Sequence, residues 1–362
     1  MSKVLASTPT GKVIKEYLDS YEITQKELSQ RTGISEKHLS HLLNGTSRLT
    51  EETALKLEKV LTGVPASYWL NYETKYREAV AREQSPAYST DSKELQLIAK
   101  RFKFNEVFKD FGWSLQKQAD QMLSLLQISD FSQFERVYAT MGVSCMQDGG
   151  TLEAIAIWLN LCREEVEVQN EHLENQYNEV LLKTLLPKLK VIADTSDAPA
   201  SLTEARELLN QAGIYLVIHE PISQAKIRGA LSTYKKHPAI YLSLRFKTHD
   251  HAWFALMHEI GHLVLHYSKK EPIITLDIEN GIQDEKEQAA NHFAQTFFIN
   301  ESAYSEFIKQ EVFTTSSVVE FAKTLAIHPG LVVARLQHDA LLPFSHVNGL
   351  KSRFDGNYGE NC

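Results

Sequence analysis

At 362 residues the chain is longer than one small hydrophobic core organises, so two or three domains are expected. It is 43% hydrophobic and 23% charged, ordinary for a globular protein, and its net charge of -8 excludes a globally basic nucleic-acid binder. Any DNA contact therefore has to be local. Cys145, Cys162 and Cys362 are odd in number, widely separated and outside any CxxC pattern, which argues against a disulfide framework and a thiolate metal site and makes a reducing cytoplasm the expected location. Residues 1–23 are charged and lack an apolar core, and no run of about 18 apolar residues follows, so neither a secretory signal nor a membrane span is expected.

Residues 11–83 read as short amphipathic helices. Within them, Thr24 to Leu43 has the form of a capped helix, a turn at Gly33 and a second capped helix, which is a helix-turn-helix. Leu28, Ile34, Leu39 and Leu42 pack the pair, leaving Gln25, Ser35, Glu36, Lys37, His38, Ser40 and His41 on the face that enters a major groove. Residues 1–85 hold 12 Lys and Arg against 11 Asp and Glu, a net of +1, so phosphate attraction is modest. An αα-hairpin used only for dimerisation has the same pattern.

The polar stretch Gln84-Ser85-Pro86-Ala87-Tyr88-Ser89-Thr90-Asp91 is the best linker. From Ser92 to about Val191 the pattern is helical throughout; its longest segment without Gly or Pro runs from Leu152 to Thr184. After a compositional change at Asp194 to Ala200 come a helix over Leu202 to Gln211, stopped by Gly213, and β-rich runs at Ile214 to His219 and Ala239 to Leu244. Two helices then surround a histidine motif, and a helical tail extends to about Phe354.

That motif is His258-Glu259-Ile260-Gly261-His262. Positions four apart share a helix face, so His258 and His262 can direct ring nitrogens at one ion, with Glu259 beside them. The flanking Trp253, Phe254, Leu256, Met257, Ile260, Leu263 and Val264 make the helix apolar on its other faces, which predicts burial with the histidines lining a cleft. A third histidine downstream is absent, since Leu265 and Ser268 stand where a glycine turn and a histidine would be. His266 lies about 12 Å along the helix from His258, too far to share its ion, and reads as a supporting or surface residue.

The next helix, Asp284 to Phe298, offers Glu287 as third ligand, with Asn291 four residues on to hold the outer N–H of a ligand histidine; spacing alone leaves Glu285 open. Acidic residues at a helix start also suit the helix dipole without any metal. Three protein ligands leave a fourth position for water, the arrangement of a catalytic zinc. Glu259 is then the general base for peptide-bond hydrolysis, and no residue is singled out to stabilise the oxyanion.

Residues 11–76, carrying the two helices above, Leu49-Thr50-Glu51-Glu52-Thr53-Ala54-Leu55-Lys56-Leu57-Glu58 and Trp69-Leu70-Asn71, resemble the Xre-type DNA-binding domain of HigA-like antitoxins. Residues from about 204 to 300, with Gly213-Ile214, Ile227-Arg228-Gly229, the histidine motif and Glu287 to Ala294, resemble the ImmA/IrrE family of zinc metallopeptidases. Leu336-Gln337-His338 and Leu341-Leu342-Pro343 recur in fused proteins of this type.

The resemblance implies zinc held by His258, His262 and Glu287, Glu259 as base, and in some members cleavage of a repressor that switches transcription. Phe297-Phe298-Ile299-Asn300 departs from the family's aliphatic pair and proline, which touches specificity more than metal binding. The expected architecture is mainly α with an α+β portion: a helix-turn-helix domain (1–85), a helical connector (92–190), a zincin-like metallopeptidase domain with a small sheet (200–310) and a helical tail (311–362). The expected function is a DNA-binding regulator whose zinc endopeptidase cuts a protein partner such as a repressor or toxin, with double-stranded operator DNA and a second copy of the chain as further partners. Two alternatives are a non-catalytic antitoxin or transcription factor that keeps the peptidase fold as a sensor, and a peptidase whose N-terminal helices only dimerise it.

Overall fold

The computed structural model describes residues 8–84, 93–145, 150–195, 197–267, 273–276 and 285–354. Apart from Gln84, the expected linker lies outside them, as does Asp284. The chain forms two compact units, Met1–Leu95 and Gln96–Cys362.

The first unit contains α1 (Thr10–Ser20), α2 (Gln25–Thr32), α3 (Glu36–Leu43), α4 (Glu51–Val60) and α5 (Ala66–Gln84). Helices α2, α3 and α4 each start where a hydroxyl satisfies a free amide: Thr24 accepts from the Glu27 N–H, Ser35 from that of His38, and Thr50 from that of Thr53. Gly33 makes the turn at φ 68°, a left-handed conformation that favours glycine. Ile14, Leu28, Leu39, Leu42, Leu57 and Trp69 fill one core.

Helix α6 (Lys93–Arg101) begins before the boundary at Leu95, and the second unit continues with α7 (Phe104–Val107), α8 (Leu115–Leu126), α9 (Phe134–Cys145), α10 (Leu152–Glu164), α11 (Val166–Gln169), α12 (Glu179–Ile192) and α13 (Ala198–Gln211). The expected unbroken helix from Leu152 to Thr184 is interrupted at residues 170–178. The cause lies in two amides. Asn170 Oδ1 accepts from the Leu216 N–H, while Gln169 both accepts from the Ile218 N–H and donates to its carbonyl. These side chains cover the open edge of a strand, so the chain leaves the helix to present them. Asn178 then caps α12.

The strands are β1 (Tyr215–His219), β2 (Ile227–Tyr234), β3 (His237–Ser243) and β4 (Ile273–Leu276), in the order β1-β3-β2-β4. β1 runs parallel to β3, and β2 is antiparallel to both β3 and β4. The sequence reading missed β2 and β4. The β2–β3 hairpin turns through Lys235 and Lys236, both at positive φ, a task ordinarily signalled by Asn or Gly.

Across the sheet lies α14 (His249–Leu265), buried along most of its length, followed by α15 (Glu285–Phe298), α16 (Glu301–Ile308), α17 (Thr315–Leu325) and α18 (Pro329–His338). Trp253 of α14 is fully buried, and its indole N–H donates to Ser201 on α13 at 3.0 Å, so its one polar atom is satisfied inside the core. The expected helical tail ends at His338; beyond it the chain is largely irregular to Phe354. That segment pairs with the start of α14, the His249 N–H donating to the Ser352 carbonyl and the Phe354 N–H to that of Lys247. No single helix among the described residues is long and apolar enough to cross a membrane.

His249 and His328 pack with ring centroids 4.6 Å apart and planes tilted by 42°, and His328 Nε2 lies 3.1 Å from Ser352 Oγ. Burial, reinforced by the neighbouring His328, lowers the His249 imidazole from 6.5 to about 4, and burial also lowers His328. The native state thus holds these rings neutral more firmly than the unfolded chain does. The resulting stability is present above about pH 6.5 and is lost as the pH falls toward 4. Between pH 7 and 5, His249 alone accounts for a loss of about 2 kcal/mol in unfolding free energy. Denaturant titration should find that loss, and His249→Phe should reduce the slope; an unchanged slope would remove His249 as its source.

Candidate metal centre

The last two turns of α14 and the first turns of α15 form the site. Gly261 lets these helices approach: a Cβ there would stand 3.3 Å from the Ala290 backbone and 3.2 Å from the Phe293 ring. Ala290 supplies the matching small surface and is itself fully buried. Contact at this range brings Glu287 over the histidine face.

His258 Nε2 and His262 Nε2 lie 2.9 Å apart, and the Glu287 carboxylate oxygens lie 3.2 Å and 3.1 Å from them. Candidate donor atoms of these three residues all fall within 4.8 Å of one another, the only such group of three or more found among the described residues. The two nitrogens cannot both point a proton at each other, so in their neutral forms at least one presents a lone pair inward. The outer nitrogens account for the tautomers. His258 Nδ1 sits 2.9 Å from Asn291 Oδ1, which can only accept, so the proton is outside and the lone pair inside. His262 Nδ1 lies 3.2 Å from His266 Nδ1. This chemistry fits a divalent ion bound by two imidazoles and a carboxylate, the donor set of many catalytic zinc sites.

Burial by itself raises the Glu287 carboxyl, and where the facing His258 and His262 rings carry a proton on their inner nitrogens, their hydrogen bonds and charge outweigh it and lower the group to about 2. Glu285, the alternative, is exposed at the helix start, away from the histidine pair. His266 is half-buried and supports His262 from outside.

Glu259 is completely enclosed. Gly229 of β2 faces it so closely that a Cβ there would stand 2.6 Å from Glu259 Oε1 and 3.0 Å from its Cγ. A side chain on this strand residue would push the carboxylate aside, so Gly229 shapes the seat of Glu259. The sequence carried this only as a glycine within Ile227-Arg228-Gly229, with no spacing to link it to a residue 30 positions later.

In the first unit, Ser35, Glu36, Lys37 and His41 are exposed at the second helix of the motif, while Gln25, His38 and Ser40 are half-buried. Gln25 donates to the Glu36 carbonyl at 2.9 Å, which couples the start of α2 to that of α3.

Residues 14–69 match the helix-turn-helix family model, and residues 210–337 match that of the IrrE N-terminal-like domain, a peptidase family. An uncharacterized HTH-type transcriptional regulator of Haemophilus influenzae is 32% identical over 69 residues, covering 19% of this chain and 64% of that protein. The uncharacterized HTH-type transcriptional regulator YddM of Escherichia coli is 33% identical over 73 residues, covering 20% of this chain and 77% of that protein. The chain belongs to this helix-turn-helix family. Behind its helix-turn-helix module it carries an IrrE-like domain, whose match spans the sheet, α14 and α15 and so includes the whole three-residue cluster. The first of these relatives is matched over just under two thirds of its length.

If Asn291 fixes the His258 tautomer, Asn291→Leu should weaken zinc binding about 10–100-fold, and Glu287→Gln should weaken it further. Competition with a chromophoric chelator measures both. Equal affinities for Asn291→Leu and the parent would remove Asn291 from the metal centre.

Proposed function

We propose that the chain is a DNA-binding regulator whose IrrE-like domain is a zinc endopeptidase acting on a protein partner such as a repressor or toxin. The observation that carries this reading is the convergence of His258, His262 and Glu287 within 4.8 Å of one another, with Glu259 following His258 in the chain and enclosed against Gly229. Zinc bound there would acidify a water and polarise a peptide carbonyl. Glu259, the neighbour of His258 in the sequence, is the residue suited to accept the proton of the attacking water and pass it to the leaving amine. Its enclosure against Gly229 strengthens its interactions by excluding solvent. A metal held only for structure would have no use for a base in that position, which favours the catalytic reading over that of a sensor.

On the DNA side, a first unit with a net charge near zero has little attraction for phosphate in general. Recognition therefore rests on the exposed face of α3, where Ser35, Glu36 and Lys37 at its start and His41 in its last turn are accessible and His38 partly so, with Gln25 bracing its start.

Glu259→Gln removes a base and leaves the ligands intact, so it should keep zinc at parental stoichiometry and lower cleavage of the co-expressed neighbouring gene product at least 100-fold. Gly229→Val should do the same by displacing Glu259. Metal analysis and mass spectrometry of the product check both, and undiminished cutting by Glu259→Gln would sink the assignment. Separately, replacing Lys37, His38 and His41 together with Ala should weaken binding to the gene's own promoter fragment at least tenfold, since each base contact contributes about 1–3 kcal/mol. Unchanged affinity in a titration by fluorescence anisotropy would exclude α3 as the reading helix.

A further inference from the structure

A cavity of about 190 Å³ lies where α14, α15 and α18 meet the start of β2 and the end of β3. On α14 it is lined by Phe254 and Ala255, which precede His258 by four and three residues and share its face. The Phe254 ring lies 6.4 Å from that of His258, yet none of His258, His262 and Glu287 belongs to the lining. The cavity therefore adjoins the metal centre as a separate site.

Its floor is apolar, with Ala294, Phe298, Ile299 and Leu331 all buried. Phe246 and Phe344 are 36% and 76% exposed, so they stand toward its mouth. An apolar cavity of about 150 Å³ is sufficient to take up benzene, so the volume suits one six-membered ring. Aromatic walls favour such a ring through edge and face contacts.

The polar part of the lining consists largely of donors. Arg228, Arg335 and Lys351 are half-buried there, together with His251. Asp250 is the one acid among the described residues of the lining, and both of its oxygens are enclosed. Its Oδ2 already meets Lys351 at 2.9 Å and His251 at 3.2 Å. Asp339, outside the lining, accepts from Arg335 Nε at 2.7 Å. Even with Asp339 counted, Arg228, Arg335 and Lys351 outnumber the two carboxylates. A guanidinium also carries more N–H donors than one carboxylate engages. The cavity thus sets an aromatic floor beside an excess of positive charge.

A cation is repelled by such a lining, and a neutral ring makes no use of its guanidiniums. A carboxylate matches them in charge and in geometry. We infer that this cavity binds an aryl carboxylate, with the ring between Phe254 and Phe298 and the carboxylate toward Arg228 and Arg335. A free acid and the aromatic C-terminal residue of a peptide offer this same chemistry. Occupation gives the regulator a chemical input next to its metal centre, whether or not that centre cuts a substrate.

Calorimetric titration of the full-length, zinc-loaded protein tests the inference without any cleavage. Phenylacetate should bind about 10–100-fold more tightly than phenylacetamide, the range for hydrogen bonds to a charged group. Acetate, which lacks the ring, should bind more weakly than either. Arg228→Gln and Arg335→Gln should each narrow the preference for the acid while leaving phenylacetamide binding unchanged. Ala334→Phe, which fills the cavity from the half-buried face of α18, should abolish binding of both ring compounds at parental zinc content. Equal binding of phenylacetate and phenylacetamide would overturn the inference, as would a preference untouched by both arginine variants. Phenylacetate binding undiminished in Ala334→Phe would also overturn it, because the acid would then be bound at the metal. Should Ala334→Phe fail to fold, the arginine variants decide. N-acetyl-alanyl-phenylalanine distinguishes the sources: tighter binding than phenylacetate assigns the pocket to a peptide terminus, and weaker binding to a free acid.

Discussion

The near contact of α14 and α15 at Gly261 and Ala290 is the constraint on which the rest of the second unit depends. Two imidazoles and a carboxylate lose hydration when they are drawn into an apolar groove, and they tolerate this only with partners at short range. Helices spaced by ordinary side chains would hold Glu287 beyond reach of His258 and His262. With a glycine on one and an alanine on the other, the three groups meet, and Asn291 and His266 supply the outer hydrogen bonds that hold the rings. The sheet answers to the same geometry from the opposite side, because Gly229 makes room for Glu259 where any other residue would obstruct it.

Much of this was legible in the sequence because it depends on short-range periodicity. Histidines four apart share a helix face however the chain folds, and Glu287 and Asn291 repeat that spacing on the next helix. The helix-turn-helix was legible for a related reason: Thr24, Gly33 and Ser35 are local signals that act through their own backbone. What the sequence concealed depends on long-range contacts or on unusual local chemistry. β2 was hidden by a turn made of two lysines at positive φ. The break near Asn170 was hidden because its amide serves a strand 46 residues away. The role of Gly229 emerges only when β2 lies against α14.

A cavity lined by residues of α14, α15 and α18 shows a similar division. Phe254 and Phe298 read in sequence as ordinary apolar helix residues, and Phe297-Phe298-Ile299-Asn300 as a departure at the rim of a substrate groove. In three dimensions Phe298 and Ile299 help line a cavity with a buried carboxylate, and Asp250 draws its counter-charge from Lys351, about 100 residues later. No periodicity joins those two positions.

The pairing of Ser352 and Phe354 with the start of α14 also sets an order in time. A ribosome releases the helix-turn-helix unit early, and its core uses nothing beyond residue 95. The helix bearing His258 receives its final backbone partners only once residue 354 has emerged, more than 85 residues after that helix has been made. During synthesis a nascent chain can therefore possess a finished helix-turn-helix unit while its IrrE-like half still lacks these backbone partners.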